Sequence, residues 1–159
     1  MEESYKIGQA CLNGHKITGD YGDKATSKYC PKCGEAEVHV CSECEAAIRG
    51  DFVHKGYVSY SKPFKVEAFC YECGSPYPWT FRQIEAAKEL ADEIVEIDRA
   101  DLDKAKAALI ALTSDTPQTA VAVVRVKKMM EKAGPVIGGG IKDILVGIAT
   151  EGAKRALGW

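Results

Sequence analysis

Apolar residues follow two different rhythms along the chain, and the change comes near residues 78–80. Upstream, short runs such as Glu37-Val-His-Val-Cys41 and Gly56-Tyr-Val-Ser-Tyr60 read as β-like segments set among Gly, Cys and aromatic residues. Downstream, the chain turns Ala-rich and the period becomes helical. Ile84, Ala87, Ala91 and Ile94 recur at three- and four-residue steps, with Leu90 and Ile97 beside them. Thr80-Phe-Arg-Gln83 has the form of a capping box, in which the Thr hydroxyl meets the N3 amide and Gln83 reaches back. Asp98 or Asp101 then caps a second helix with Leu102, Ala105, Leu109 and Leu112 inward; a single helix over about 81–112 is the alternative.

Ser114-Asp-Thr-Pro117 is a stop and restart, with Thr116 suited to N-cap and Pro117 to N1. The helix that follows is expected to end at about Ala133, before Gly134-Pro135. It carries Val121, Val123, Val124 and Val126, so burial rather than propensity has to hold it helical. Gly138-Gly139-Gly140 reads as a flexible joint. A last helix over about 141–157 would place Ile141, Ile144, Leu145, Ile148 and Leu157 on one side. That stripe suits packing on the preceding helices, docking in a partner's groove or lying on a membrane surface, preferred in that order.

The cysteines change the picture of the first half. Eight potential ligands come as four pairs: Cys11 with His15, Cys30 with Cys33, Cys41 with Cys44, and Cys70 with Cys73. The first is C-x3-H and the others are C-x2-C. Such a pair on a tight turn aims both donors at one point, and two pairs complete a tetrahedron around Zn(II). Two closed sites follow, one of three cysteines and a histidine and one of four cysteines, with none of the seven cysteines left over. Pairing in chain order gives two zinc ribbons, with 14 and 25 residues between the pairs. Interleaved pairing would give a cross-brace like a RING domain, and joining 30/33 to 41/44 would close one very small loop. Gly34 and Gly74 each follow the second cysteine of a pair, where a positive φ lets backbone amides reach the thiolates. His39 is a substitute fourth ligand in place of His15.

With four protein ligands a site has no position for water, so the metals read as folding staples rather than reagents. About 80 residues with few large aliphatics need such support, and structural zinc supplies roughly 10–16 kcal/mol per site. Iron in the four-cysteine site and dithiol redox chemistry are the weaker alternatives. No Ser-His-Asp, paired-carboxylate or phosphate-loop arrangement is visible, and the protein is expected not to be an enzyme. Tyr57, Tyr60, Tyr71, Tyr77 and Trp79 suit a base-stacking surface or packing around the ribbons, and packing is preferred.

Charge refines the choice of partner. Overall the 159 residues carry a net charge of −2, but residues 1–80 hold 9 Lys/Arg against 11 Asp/Glu, 81–103 hold three against eight, and 104–159 hold nine against four. Thiolates binding divalent ions make the first half more negative still. A polyanion would therefore meet the far end, through Arg125, Lys127, Lys128, Lys132, Lys154 and Arg155. The start, Met-Glu-Glu-Ser-Tyr, is too polar for a secretory signal, and no run of about 20 apolar residues exists to span a bilayer. A cytoplasmic, reducing setting is expected, where thiols bind metal more readily than they pair.

Several of these segments resemble an uncharacterised bacterial family with a double zinc ribbon and a helical tail. They are Cys-Leu-Asn-Gly-His15, Cys-Pro-Lys-Cys-Gly34, Cys-Ser-Glu-Cys44 with Ile48-Arg-Gly50, and Cys-Tyr-Glu-Cys-Gly74 followed by Pro76-Tyr-Pro-Trp-Thr80. Asp115-Thr-Pro117 and Ala149-Thr-Glu-Gly-Ala-Lys154 are similar too, so the resemblance covers nearly the whole chain. It implies two zinc sites and a bacterial cytosol, and no activity. The expected fold is α+β: a β-rich double zinc ribbon over about 5–79, then a bundle of three or four helices over about 80–159. The expected function is a non-enzymatic, zinc-binding interaction module with two ions per chain. Its partner would be a protein or a second copy on the C-terminal helices. The alternatives are nucleic-acid binding by those helices, a RING-like adaptor in protein modification, and a membrane-acting helical effector.

Overall fold

A computed structural model describes residues 2–22, 27–56, 58 and 60–159. The chain divides into two compact units, Met1–Phe81 and Arg82–Trp159. The first is β-rich and holds all the cysteines; the second is helical.

The first unit contains two three-stranded antiparallel sheets. One has the order β1-β5-β6, from β1 (Glu2–Ile7), β5 (Arg49–Lys55) and β6 (Tyr60–Lys62). The other has the order β3-β2-β4, from β2 (Gln9–Cys11), β3 (Lys16–Thr18) and β4 (Glu37–Val38). Of the two runs expected as strands, the first shrinks to β4 and a bridge between Val40 and Ala47. Of the second, Tyr57 and Ser59 lie outside the described residues, and Tyr60 opens β6. The sheets meet at a close backbone approach: a Cβ on Gly50 would sit 2.2 Å from the Gly19 carbonyl oxygen and 2.7 Å from the Gly8 nitrogen. Only glycine fits there. The core is small and aromatic, with Phe64, Tyr77 and Trp79 around Ile48, Ala10, Cys41 and Cys70. Tyr77 and Trp79 therefore pack as expected, whereas Tyr60 and Tyr71 stay in solvent.

Helix α1 (Pro78–Asp92) begins before Thr80. Thr80 does not cap it; the hydroxyl donates to the Ala68 carbonyl at 2.7 Å instead. Ile84, Ala87, Ala91 and Ile94 are buried in the second unit's core. Asp98 caps α2 (Arg99–Ala108), accepting from the Ala100 and Asp101 amides, so the continuous helix is not formed. A 3-10 turn over Leu109–Thr113 keeps Leu109 and Leu112 inside.

The long helical element α3 (Pro117–Leu145) is two helical stretches that meet at a kink. Gly134, with the non-helical values φ 69° and ψ 171°, ends the first stretch where expected, before Pro135, and the second follows directly. Gly138-Gly139-Gly140 lies within this helix and is no joint. Gly138 is buried, and a Cβ on Gly140 would stand 2.7 Å from Leu90 Cδ2, so Gly140 admits a close neighbour. Of the four valines, only Val126 is fully buried, while Val121 and Val124 are exposed. The last element, α4 (Glu151–Leu157), is short and capped by Thr150. Ile141, Leu145 and Ile148 are buried, with Ile144 and Leu157 packed on them. That stripe belongs to the core and is not a free face for a membrane. Among the described residues, no helix is long and apolar enough to cross one.

Candidate metal centres

Each ligand pair occupies the tip of a hairpin. In three of them the same backbone pattern repeats. The first cysteine's amide donates to a carbonyl five residues on, and the residue after the second cysteine donates back to the first cysteine's carbonyl. The bonds are Cys30 to Glu35 and Gly34 to Cys30 (both 2.8 Å), Cys41 to Ala46 and Glu45 to Cys41 (2.8 and 3.0 Å), and Cys70 to Ser75 and Gly74 to Cys70 (both 2.9 Å). Bridges Tyr29–Ala36, Val40–Ala47 and Phe69–Pro76 close the hairpins behind them. The last tight-turn residue has φ of 75° at Gly34 and 73° at Gly74, as anticipated, but also 61° at Glu45, where a side chain is strained. The Cys11–His15 pair is held by its own turn, with the Cys11 amide on the His15 carbonyl at 3.0 Å.

The pairs combine in chain order. Cys11, His15, Cys30 and Cys33 form one group and Cys41, Cys44, Cys70 and Cys73 another, each with its ligand atoms within 4.8 Å of one another. The interleaving needed for a RING-like cross-brace is not adopted. His39 joins neither group; it stacks on Tyr21 with ring centroids 4.0 Å apart.

The spacings fit a tetrahedral ion. Four sulfurs at about 2.3 Å from a common centre stand about 3.8 Å apart, and a sulfur and an imidazole nitrogen about 3.5–3.6 Å apart. Cys41–Cys73 and Cys44–Cys70 are 3.8 and 3.7 Å, and Cys11–Cys33 is 3.7 Å. His15 Nδ1 lies 3.5 Å from Cys11 Sγ and 3.6 Å from Cys30 Sγ. A disulfide would need about 2.05 Å, and all seven cysteines are free thiols.

Titration fits the same picture. The Glu35 amide leads in lowering Cys33 to about 6. Burial pushes Cys70 up, but the Cys73 and Glu72 amides outweigh it and bring the thiol down to about 6. The Ser75 hydroxyl, with its amide, lowers Cys73. Burial raises Cys11. The Ala46 amide favours the Cys44 thiolate, yet burial and the sulfurs of Cys73, Cys70 and Cys41 prevail and push it up to about 12. Each group therefore sets at least one thiol that ionises readily beside one that resists losing its proton, which a bound cation would draw off.

Inward and outward positions alternate. Cys11, Cys30, Cys41 and Cys70 are buried, while Cys33, Cys44 and Cys73 are exposed. The Tyr77 hydroxyl is buried without an acceptor in ordinary geometry, and burial together with the Cys70 sulfur keeps it firmly protonated. Residues of the Pro76-Tyr-Pro-Trp-Thr80 segment tie the centres in place: the Tyr77 amide, like the Thr80 hydroxyl, donates to the Ala68 carbonyl, and the Trp79 indole reaches the Glu67 carbonyl. Its Pro and aromatic content marked it as distinctive, but spacing alone gave no partner for these groups.

The basic residues of the helical unit do not form one face. Arg125, Lys128 and Lys132 share a side of α3, and Lys127 lies about 200° around from Arg125. Lys128 is paired with Asp101 at 2.7 Å and Lys154 with Glu151. Arg125, Lys127, Lys132 and Arg155 are exposed.

A family profile described as "Uncharacterized protein conserved in bacteria (DUF2321)" matches residues 4–157. Neither a curated protein nor a solved structure matches the chain.

Proposed function

We propose a structural role for both centres, taking as premise that the chain belongs to this family of uncharacterised bacterial proteins, DUF2321, a membership that carries no activity with it. The two groups hold zinc, Cys11, His15, Cys30 and Cys33 one ion and Cys41, Cys44, Cys70 and Cys73 the other. One observation carries this reading: each group supplies four protein donors at the edge lengths of a closed tetrahedron. Such a site has no place for a reacting water. Zinc is preferred to iron because a mixed three-sulfur, one-nitrogen set suits it and its filled d shell imposes no geometry of its own.

The chain then acts as a non-enzymatic interaction module. Metal-stapled hairpins hold a rigid surface in place of a large apolar core. The helical unit offers a protein partner or a second copy exposed apolar residues on α3, with Val124 69% and Val136 85% exposed. A reducing cytoplasm keeps the thiolates available.

Metal analysis of the purified chain with X-ray absorption at the zinc edge tests the proposal. Two zinc ions per chain, one with three sulfurs and a nitrogen and one with four sulfurs, are expected. A solvent oxygen in either shell, or iron absorption bands, overturns it.

A further inference from the structure

We propose that the open face of the β1-β5-β6 sheet binds a nucleotide unit, its base stacked on an aromatic row and its phosphate held by Lys62 and Lys65. The inference rests on reading the zinc-bearing half as an interaction surface, and it places the polyanion site in the half whose overall charge argues against one.

Register builds the row. Tyr5 faces Phe52 across β1 and β5, and Phe52 faces Lys62 across β5 and β6. One step along, Glu3 faces His54 and His54 faces Tyr60. Residues two apart on a strand share a face, so these six residues tile one side of the sheet. Their rings run on from one another: Tyr5 to Phe52 at 5.1 Å, Phe52 to Tyr60 at 6.3 Å, and Tyr60 stacked on His54 at 4.9 Å. Packing does not consume them, since Tyr5 is 53% and Tyr60 46% exposed. Exposed ring planes on a sheet are what an unpaired base stacks upon.

Cations edge this row. Lys62 Nζ lies 5.8 and 5.9 Å from the Phe52 and Tyr60 ring centroids. The Arg49 guanidinium sits between two rings, 4.9 Å from Tyr5 and 3.9 Å from Tyr71. Tyr71 belongs to the Cys70–Cys73 turn, so the second metal centre supports this stack. Tyr5, Phe52, Arg49, Lys62 and Lys65 line a cavity of about 440 Å³ with Glu67 as its one acid, a volume within the range of small-ligand sites. Local charge decides here, because fields fade beyond about 8–10 Å at physiological salt. An acidic peptide would satisfy the cations and leave the ring planes uncovered; a base with its phosphate satisfies both. A free nucleotide and a nucleotide within a single strand share this chemistry.

The test uses the full, metal-loaded chain and fluorescence anisotropy with a labelled mixed-sequence DNA single strand. The matching duplex, adenosine monophosphate and polyglutamate serve as competitors. We expect saturable binding that the duplex competes for poorly. Displacement by the mononucleotide at the strand's own concentration marks a free nucleotide as the ligand; a strand that binds far tighter marks nucleic acid. Y5A weakens binding roughly 5- to 100-fold, Y5F retains it, and K62E weakens it and flattens its salt dependence. K132E, on the helical unit, leaves it unchanged. The inference is overturned by a chain that binds neither strand nor mononucleotide, by duplex binding as tight as the strand's, by indifference to both Y5A and K62E, or by polyglutamate displacing the strand at equal charge. Metal content measured on the same sample separates the two readings. Two zinc ions without binding sink this inference alone, and binding with fewer ions sinks the zinc assignment alone.

Discussion

The Trp79 indole nitrogen donates to the Glu67 carbonyl at 2.8 Å. On its other side, Trp79 Cβ fills the space where a Cβ on Gly14 would come within 2.9 Å. Gly14 lies between Cys11 and His15, and Glu67 leads into Cys70, so one side chain braces both metal-bearing stretches. Replacing Trp79 with Phe keeps a ring but removes the donor and some volume from a site 1% exposed. A loss of about 1–3 kcal/mol is expected, seen as a lower urea midpoint for the first unit. An unchanged midpoint would show the brace to be idle.

Chelation should melt the first unit and spare the second. The helical unit has its own apolar core, from Ile84 to Ala153, whereas among the described residues the first unit's apolar cluster numbers seven buried residues, two of them ligand cysteines. Far-ultraviolet circular dichroism should keep its helical signal after a strong chelator, while amide signals from 1–81 collapse. Loss of the helical signal as well would contradict it.

Acid should release the metals. Cys33 and Cys70 lie at about 6, below the ordinary thiol value of 9.0. A depressed value means their contribution is complete above 9, shrinks as pH falls, and is gone below about 6. Zinc affinity should weaken as pH falls, because protons compete with the ion for these thiolates, and the bound ion should keep them deprotonated to below the metal-free value of about 6; release is read with a zinc-sensitive dye. Conversely, loading the metal-free chain near pH 7.5 should acidify a weakly buffered solution, because the bound cation draws off the proton that Cys44 resists losing.

Glu45 occupies a left-handed backbone position, φ 61°, where two sister turns use glycine. E45G removes the steric penalty at the cost of some unfolded-chain entropy. A gain of roughly 0.5–1 kcal/mol is expected, with two metals still bound. Destabilisation would mean that the Glu45 side chain matters more than its backbone.

Gly50 admits no side chain. Its added Cβ would meet backbone atoms of Gly19, Gly8 and Ile7 at 2.2–2.7 Å, and main chain cannot yield as a side-chain tip can. G50A should cost about 3 kcal/mol or more, visible as loss of dispersed amide signals from the first unit. Wild-type stability in this variant would refute the crossing.

The metal ligands were legible because their chemistry is written in local spacing: two donors three or four residues apart, followed in two of the four pairs by a glycine. The apolar stripe from Ile84 to Ile94 and the Asp98 cap were legible for the same reason. Contacts across long separations were not. Thr80 looked like a helix cap, but its hydroxyl found Ala68, twelve residues back. Strands β1 and β5 carry no clear pattern in the sequence because Glu2–Ile7 is exposed throughout and Arg49–Lys55 sets Phe52 beside Val53 with no alternation. The glycine triplet suggested a hinge by composition, yet all three residues lie in helical backbone, and only Gly140 is closely approached, by Leu90. The aromatic row could not be seen either, since its members come from three strands whose register no single segment encodes.

The alternation of buried and exposed cysteines gives each cage a direction of wear. An oxidant or a competing thiol arriving from solvent meets Cys33, Cys44 or Cys73 first, while Cys11, Cys30, Cys41 and Cys70 are shielded. Damage thus begins at the rim and spares the hinge side of every clasp, so a reductant can mend the outer sulfur before the hairpin beneath it lets go.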